Sequence, residues 1–137
     1  MDQWQSIGTH RARIEEDTIF LQFIGDVTLE HTRALSLLQE QILAKHGRLF
    51  SVTNLHEVGN FSADGRRFLG EWNKKFSVAG VAQYGGTLMG RVMSVLMIGA
   101  IRALGGHVPE MKNVSNEDEG RAWINELRRK LGPVVKK

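Results

Sequence analysis

Short apolar runs of β-prone residues alternate along this chain with longer stretches in which apolar residues recur every three or four positions. The runs predict five strands and the periodic stretches predict four helices. The predicted strands are 7–14, 18–24, 49–55, 78–84 and 108–114, and the predicted helices are 28–46, 63–75, 87–104 and 116–131. The order is therefore ββαβαβαβα. Strands joined through helices favour a parallel sheet, and the first two strands should form a hairpin, so we expect a mixed five-stranded sheet in a three-layer α/β domain.

Residues typical of helix and strand ends support these boundaries. Ser62 is a predicted N-cap, and Ser115 is a second one with Asp118 three residues later as its partner. Gly47 follows the last residue of the first helix, where a left-handed conformation is common. The pair Gly25-Asp26 is expected to end the second strand.

Length and composition exclude several classes of protein. A chain of 137 residues fits one domain, 1–137, with frayed ends at 1–5 and 133–137. The absence of cysteine excludes disulfides, thiolate zinc sites and a cysteine nucleophile. The N-terminus does not resemble a signal peptide, and the longest apolar stretch, 92–101, is too short for a membrane span. We therefore expect a cytoplasmic protein without a transmembrane segment.

The net charge of +3 is spread along the chain, with one tight basic group at 128–130 and further lysines at 136 and 137. Nucleic-acid binders concentrate their charge on one face and interleave it with aromatic residues, whereas this chain has one tyrosine and widely spaced tryptophans. We expect no nucleic-acid partner.

No pattern in the sequence predicts catalysis. There is no phosphate-binding loop, no nucleophile elbow and no zinc-protease motif. None of the five histidines, at 10, 31, 46, 56 and 107, forms a pair at helical metal-binding spacing. We therefore expect no metal, no cofactor and no catalytic residue. His56 alone follows a predicted strand end, where open α/β sheets place their sites.

The segment from Asn54 to Gly65, which reads N-L-H-E-V-G-N-F-S-A-D-G, is predicted to lead from a strand into a helix. Together with the order ββαβαβαβα, it resembles the STAS (SpoIIAA-like) family, the fold of bacterial anti-sigma factor antagonists. That family has Asp-Leu-Ser-Gly, four residues, and then Asp-Ser-Ser/Thr-Gly. Asn54 and Leu55 align with the first two positions, and Gly65 aligns with the last.

The resemblance implies a protein-binding surface at this segment. Its candidate residues are His56, Glu57, Asn60, Ser62, Asp64 and Arg66. The family's phosphorylated serine falls on Ala63, which has no hydroxyl, and Ser62 falls on the aspartate before it. Either Ser62 is phosphorylated with a one-residue shift or the protein lacks this switch. We favour the second interpretation, because Ser62 is already accounted for as an N-cap.

A second resemblance is to the STAS-like proteins that share their fold with lipid-exchange domains of the CRAL-TRIO type. The ending V-S-N-E-D-E-G-R-A-W-I, at 114–124, looks like their last strand and closing helix. This resemblance implies a lipid or small apolar ligand as the alternative to a protein partner.

The predicted helix 87–104 is apolar on more than one side. Met89, Met93 and Met97 recur every four residues and form one stripe. The nearly opposite stripe consists of Arg91, Val95, Ile98 and Arg102. One stripe should pack on the sheet, and the other is either part of the core, an interface with a second copy of the chain, or a lipid-binding surface. We expect a homodimer through this second stripe.

These observations favour a non-enzymatic interaction module, a regulator in a bacterial signalling circuit that lacks the usual phosphoserine. The alternative is a binder of a lipid or small hydrophobic ligand, with its pocket under the methionine stripe.

Overall fold

The strands form one mixed sheet of six, in which spatial order follows sequence order. The computed structural model describes residues 3–134. The strands are β1 (Gln5–Ile7), β2 (His10–Glu15), β3 (Thr18–Val27), β4 (Phe50–Phe61), β5 (Gly80–Tyr84) and β6 (Glu110–Asn113). The helices are α1 (Leu29–His46), α2 (Ala63–Lys75), α3 (Leu88–Ala103) and α4 (Glu117–Leu131).

The connections between strands decide which face of the sheet each helix covers. β1, β2 and β3 pair antiparallel, and β3 to β6 pair parallel. α1, α2 and α3 each join neighbouring parallel strands in the same direction across the sheet, so right-handed crossovers place all three on one face. There they contribute to the larger core cluster, whereas α4 packs its Ile124 against Phe50 and Val52 in the other. The three-layer α/β prediction is confirmed.

The sheet has six strands rather than five because the predicted strand 7–14 is two strands. The chain reverses at Gly8 and Thr9, so that Ile7 lies opposite His10 in an antiparallel pair. Gly8 has a φ of +62°, and a Cβ at this position would lie 2.9 Å from Cδ2 of His31. Glycine is therefore required by both the turn and the neighbouring ring.

β3 and β4 are longer than predicted. β3 continues through Gly25-Asp26 to Val27, and β4 continues past Leu55 to Phe61. Shifts in the pairing register between Gln22 and Ile24, and between Gly25 and Val27, let the two strands remain paired. The expected break at Gly25 is thus an irregularity within the ladder, and most of the segment from Asn54 to Gly65 is strand rather than loop.

The predicted caps are right for two helices and wrong for one. Ser62 Oγ accepts a hydrogen bond from the Gly65 N–H at 3.1 Å, and Gly47 ends α1 with a φ of +74°. The N-cap of α4 is Asn116, not Ser115: its Oδ1 accepts from the Glu119 N–H at 2.9 Å. The helix therefore begins one residue later than predicted. The predicted frayed ends fall partly outside the described residues, as do Lys136 and Lys137.

Candidate functional site

β5 ends at Tyr84, which lies opposite Asn54 in the middle of β4, next to the start of α3. The backbone of Gly85, with a φ of +94°, packs on the backbone of His56, and a Cβ on Gly85 would lie 2.8 Å from Cα of His56. Asn54 Oδ1 accepts a hydrogen bond from the N–H of His56 at 3.0 Å, which fixes the chain where His56 turns to solvent. The expectation that His56 follows a strand end is wrong, because β4 continues past it to Phe61. His56 instead lies beside the carboxyl end of β5, the kind of edge at which open α/β sheets present binding residues.

A chain of hydrogen bonds joins α3 to the last two strands. Ser94 Oγ donates to Gln83 Oε1 at 2.9 Å, and Gln83 Nε2 donates to Asn113 Oδ1 at 2.9 Å. Ser94 Oγ also lies 3.1 Å from the carbonyl oxygen of Gly90. The buried side of α3 is therefore attached to β5 and β6 by polar contacts as well as by packing.

A cleft of about 390 Å³ lies between α3 and the carboxyl ends of β5 and β6. We call it the α3 cleft. Residues from both of its sides include Arg91, Val95 and Ile98 from the helix and Tyr84, Asn113 and Val114 from the sheet edge. Burial raises the pKa of Tyr84, and the carboxylate of Glu117 adds to this effect. The side chain of Tyr84 packs with the core cluster under α4, so Tyr84 borders the cleft while its hydroxyl lies near Glu117 on the other side of the sheet.

The outer side of α3 is apolar and exposed. Leu88 is 79% exposed, Val95 69% and Val92 41%, whereas Met93 on the opposite side is 1% exposed. Of the stripe predicted from the sequence, Arg91, Val95 and Arg102 are exposed and Ile98 is half-buried. We define the α3 face as Leu88, Arg91, Val92, Val95, Ile98, Gly99 and Arg102; at 100° per residue, these seven positions fall within an arc of about 120°.

The charges of α3 are all positive. Its sequence, LMGRVMSVLMIGAIRA, contains Arg91 and Arg102 and no aspartate or glutamate. Within residues 3–134, neither arginine lies in an ion pair. Thr87 caps the helix, its Oγ1 accepting from the N–H of Gly90 at 3.0 Å. The α3 face therefore combines exposed apolar side chains with two cations that have no counter-charge in the described part of the chain.

The six candidate residues of the segment 56–66 fall into two groups. His56 and Glu57 are exposed and line a separate cavity, which adjoins the α3 cleft at Gly85 and Gly86. The other group surrounds the start of α2, where Asn60 is exposed and its N–H donates to Asp26 Oδ1 at 2.8 Å. Because the segment is mostly strand, its side chains do not form one continuous loop surface.

The hydroxyl of Ser62 is already engaged at the start of α2. It accepts from Gly65 N–H, and a hydrogen bond with Ser62 is the main cause that lowers the pKa of the exposed Asp64. Arg66 is half-buried, and its Nε has no hydrogen-bond partner among the described residues. Ala63, which aligns with the family's phosphoserine, is exposed.

A smaller cavity of about 90 Å³ lies under α3, between the sheet and the helical layer. Its apolar lining includes Phe23, Leu69, Trp72, Met93, Met97 and Ile101. Asn73, which is 3% exposed, also lines this cavity, and its Oδ1 has no hydrogen-bond partner in the described part of the chain. An orphaned buried amide oxygen is uncommon in native proteins.

The sequence predicts four residues of the α3 face, Arg91, Val95, Ile98 and Arg102, but it does not predict the exposed Leu88 and Val92 or the residues across the cleft. Tyr84, Gln83 and Asn113 come from two strands that are separated by the whole of α3, and no local pattern links them. Between residues 3 and 134, no three histidine, aspartate or glutamate side chains converge as a metal site. In the same range, no helix has the length and apolar character needed to span a bilayer.

Comparison with solved structures identifies the fold. An uncharacterized DUF3478-family protein with a SpoIIAA-like fold from Shewanella loihica matches with a TM-score of 0.53 and 19% identity, over 90% of this chain and 94% of that one. The unphosphorylated form of the anti-sigma factor antagonist SpoIIAA matches with a TM-score of 0.54 and 10% identity, over 91% of this chain and 98% of that one. No protein-family profile matches the sequence, and no curated protein matches it significantly. The chain has the SpoIIAA-like fold that the resemblance implied.

Proposed function

We propose that this protein is a non-enzymatic interaction module of the STAS type, which binds a protein partner through the α3 face and the adjoining cleft. The observation that carries this proposal is the exposure of Leu88, Val92 and Val95 on one side of a helix whose other side is buried. A surface helix of a globular domain normally presents polar residues to water. A contiguous apolar patch on a monomer is most often a binding site.

The energetic case for a partner follows from the buried area. Complete burial of a leucine or valine side chain contributes about 1.5–3 kcal/mol. Leu88 and Val95, at 79% and 69% exposure, have most of that contribution still available. The fold neighbours support the same role, because one of them is an anti-sigma factor antagonist. We assign this chain a regulatory role in a signalling circuit by analogy of fold alone.

We further propose that the module acts without a phosphorylated serine. Ala63 lacks a hydroxyl, and the hydroxyl of Ser62 caps α2 and contacts Asp64. His56 and Glu57, which line the cavity adjoining the cleft, would extend the partner surface beyond α3. Asn60, Ser62, Asp64 and Arg66 form a separate, secondary surface.

Site-specific photo-crosslinking tests the proposal. A benzophenone amino acid replaces Val95, and in a matched control it replaces Leu37, which is 62% exposed on α1. Both variants are irradiated in cells of the organism that encodes the protein, and the crosslinked peptides are mapped by mass spectrometry. We expect the Val95 probe to join one defined segment of one protein. Equal, scattered crosslinking from both positions would contradict the proposal.

The second candidate function is the binding of a small apolar ligand in the cavity under α3. The specific observation that supports it is the unpartnered Oδ1 of Asn73, which could accept a hydrogen bond from such a ligand. An engineered cavity of about 150 Å³ holds benzene, so 90 Å³ suits a still smaller molecule or the end of an apolar chain.

Native mass spectrometry of freshly purified protein tests this second candidate. We expect one bound small molecule in the wild type and none in Val81→Phe, because the larger side chain would fill the cavity that Val81 lines. Identical ligand-free spectra for both proteins would contradict it.

A further inference from the structure

We infer that the partner of the α3 face is an amphipathic helix of a different protein, with carboxylates on either side of its apolar stripe. This inference rests on the proposed function and adds the chemistry of the partner. It is carried by the placement of Arg91 and Arg102, two cations without an ion pair among residues 3–134, which flank Val95 and Ile98 on an exposed apolar face that begins one turn earlier at Leu88.

The two arginines define a spacing. Arg102 follows Arg91 by eleven positions, which is about 16.5 Å along the helix axis at 1.5 Å per residue. Eleven steps of 100° amount to three turns plus about 20°, so the two side chains leave the helix on nearly the same side. Leu88 and Val95 lie about 60° and 40° from Arg91 around the axis. A partner helix that lies along α3 could therefore pair with both arginines if it carried two acidic residues ten to twelve positions apart.

The same charges disfavour a second copy of this chain as the occupant. In a two-fold interface each contact occurs twice, with the roles exchanged. If two α3 helices packed antiparallel about the midpoint of the two arginines, between Leu96 and Met97, Arg91 of one copy would face Arg102 of the other. Like charges placed opposite each other weaken an interface. About Val95, the centre of the α3 face, Arg102 of one copy would instead face the apolar Leu88 of the other. Since α3 contains no acid, it offers nothing to neutralise the arginines in either arrangement.

The shape of the site favours a polypeptide over a membrane surface. Beside the apolar stripe lies the α3 cleft, about 390 Å³ in volume, with the side-chain amides of Gln83 and Asn113 on its far side. A bilayer would cover the exposed stripe but would not provide donors and acceptors for the cleft. The side chains of a docked helix could supply both, with one large residue entering the cleft and the remainder covering Val92 and Val95. Among residues 3–134, no atom outside the adjoining backbone of α3 lies within 4 Å of a Cβ added to Gly99, so Gly99 would allow the second backbone to come close.

A displayed library of 18-residue, helix-favouring peptides tests this inference with the full chain as bait. Selection is carried out in parallel on the wild type, on Val95→Asp, and on the double variant Arg91→Glu with Arg102→Glu. We expect wild-type binders to be enriched in Asp or Glu at two positions ten to twelve residues apart, with apolar residues between them. We expect the double variant to bind the best of these peptides at least tenfold more weakly and to select Lys or Arg at the same two positions.

The other outcomes separate failure of this inference from failure of the proposed function. Peptides that require Val95 but show no acidic enrichment would overturn the inference and leave an interaction module. If no selected peptide depended on Val95, both would be lost. Light scattering is measured at about 100 µM on the same proteins, and a dimer that dissociates in Val95→Asp would make a second copy the occupant. Val95-dependent binding to anionic phospholipid vesicles, with no peptide enriched, would make a membrane the occupant; either result would overturn the inference.

Discussion

His10 and His31 lie in contact, with Nε2 of His10 3.0 Å from Nδ1 of His31. His10 is 1% exposed, and its Nδ1 accepts a hydrogen bond from the N–H of Ile24 at 2.9 Å. The proton of the neutral ring is therefore on Nε2, directed at His31 and at the carbonyl oxygen of Asp26, 2.9 Å away. Nδ1 of His31 also accepts from the Thr28 N–H at the start of α1. The pair thus joins the β2–β3 hairpin to the N-terminus of α1.

Protonation of His10 should destabilise the fold. Burial lowers the pKa of His10 below its ordinary value of 6.5, and the nearby charge of His31 adds to this effect. The unfolded chain therefore binds a proton that the folded chain does not, once the pH falls below about 6.5. We expect the free energy of unfolding to be highest above that pH and to fall as the pH decreases towards the pKa of the folded state. The slope for one proton is at most about 1.4 kcal/mol per pH unit.

Urea unfolding at pH 7.5 and 5.5 measures this effect. His10→Gln should lose the additional pH dependence, whereas His107→Gln, at an exposed position, should keep it. The same slope in His10→Gln as in the wild type would show that another group titrates.

Asp17 and Arg128 should stabilise the fold through a two-point contact between the β2–β3 turn and α4. Nη2 of Arg128 lies 2.6 Å from Oδ1 of Asp17, and Nε lies 3.0 Å from Oδ2. Burial by itself raises the pKa of Asp17, but the bonds from Arg128 outweigh it and hold the pKa below 3.8. We expect Arg128→Gln to cost about 1–3 kcal/mol at pH 7, since it would leave the carboxylate of Asp17, a residue only 9% exposed in the wild type, without its partner.

Arg129→Gln provides the matched control, because Arg129 is exposed on the same helix. It should change the free energy of unfolding by less than about 0.5 kcal/mol. The contribution of Asp17 should be complete above pH 3.8 and disappear as the pH falls through the lower pKa of the folded state. Equal stabilities for the two variants would contradict this account.

Two helical glycines should respond to alanine in opposite directions. A Cβ on Gly70 would lie 2.7 Å from the carbonyl oxygen of Ala100, where α2 and α3 approach each other, whereas a Cβ on Gly99 would meet open space. Gly70→Ala should therefore destabilise the fold by about 1–3 kcal/mol, and Gly99→Ala should stabilise it by about 0.5–1 kcal/mol through helix propensity. Thermal and urea unfolding of both variants check the signs, and a stabilising Gly70→Ala would contradict the described packing of α2 on α3.

The caps of α2 and α4 provide a further matched pair. Ser62→Ala removes the oxygen that accepts from Gly65 N–H and should cost about 0.5–2 kcal/mol. Ser115→Ala should cost less than about 0.5 kcal/mol, because Asn116 caps α4. Urea unfolding measures the loss of free energy of unfolding in both variants. A larger loss for Ser115→Ala than for Ser62→Ala would contradict the assignment of Asn116 as the N-cap of α4.

The sequence predicts the helices of this fold better than its strands. The bounds of α2 were predicted to the residue, because Ser62 marks its start and the apolar period marks its length. The division between β1 and β2 depends on the turn at Gly8, and the extension of β4 depends on its partner β3. Both features depend on how strands pair, and the local periodicity of a sequence does not predict strand pairing.

In the candidate site, too, the residues that lie on one helix could be predicted from the sequence, whereas those brought together by strand pairing could not. Arg91, Val95 and Arg102 belong to one helix, so their shared face follows from spacing alone. The opposite side of the cleft, with Tyr84 and Asn113, exists only because β5 and β6 are neighbours in the sheet. The contact between His10 and His31 likewise joins residues 21 positions apart and has no counterpart in any sequence pattern.

The most direct test of the central claim compares the affinity of wild-type, Val95→Asp and Leu37→Asp proteins for the best peptide selected on the wild type. Both positions are exposed, so both variants should keep the free energy of unfolding within about 0.5 kcal/mol of the wild type. If the α3 face is the binding surface, Val95→Asp raises the dissociation constant at least tenfold, while Leu37→Asp leaves it within twofold. An unchanged dissociation constant for Val95→Asp would contradict the account.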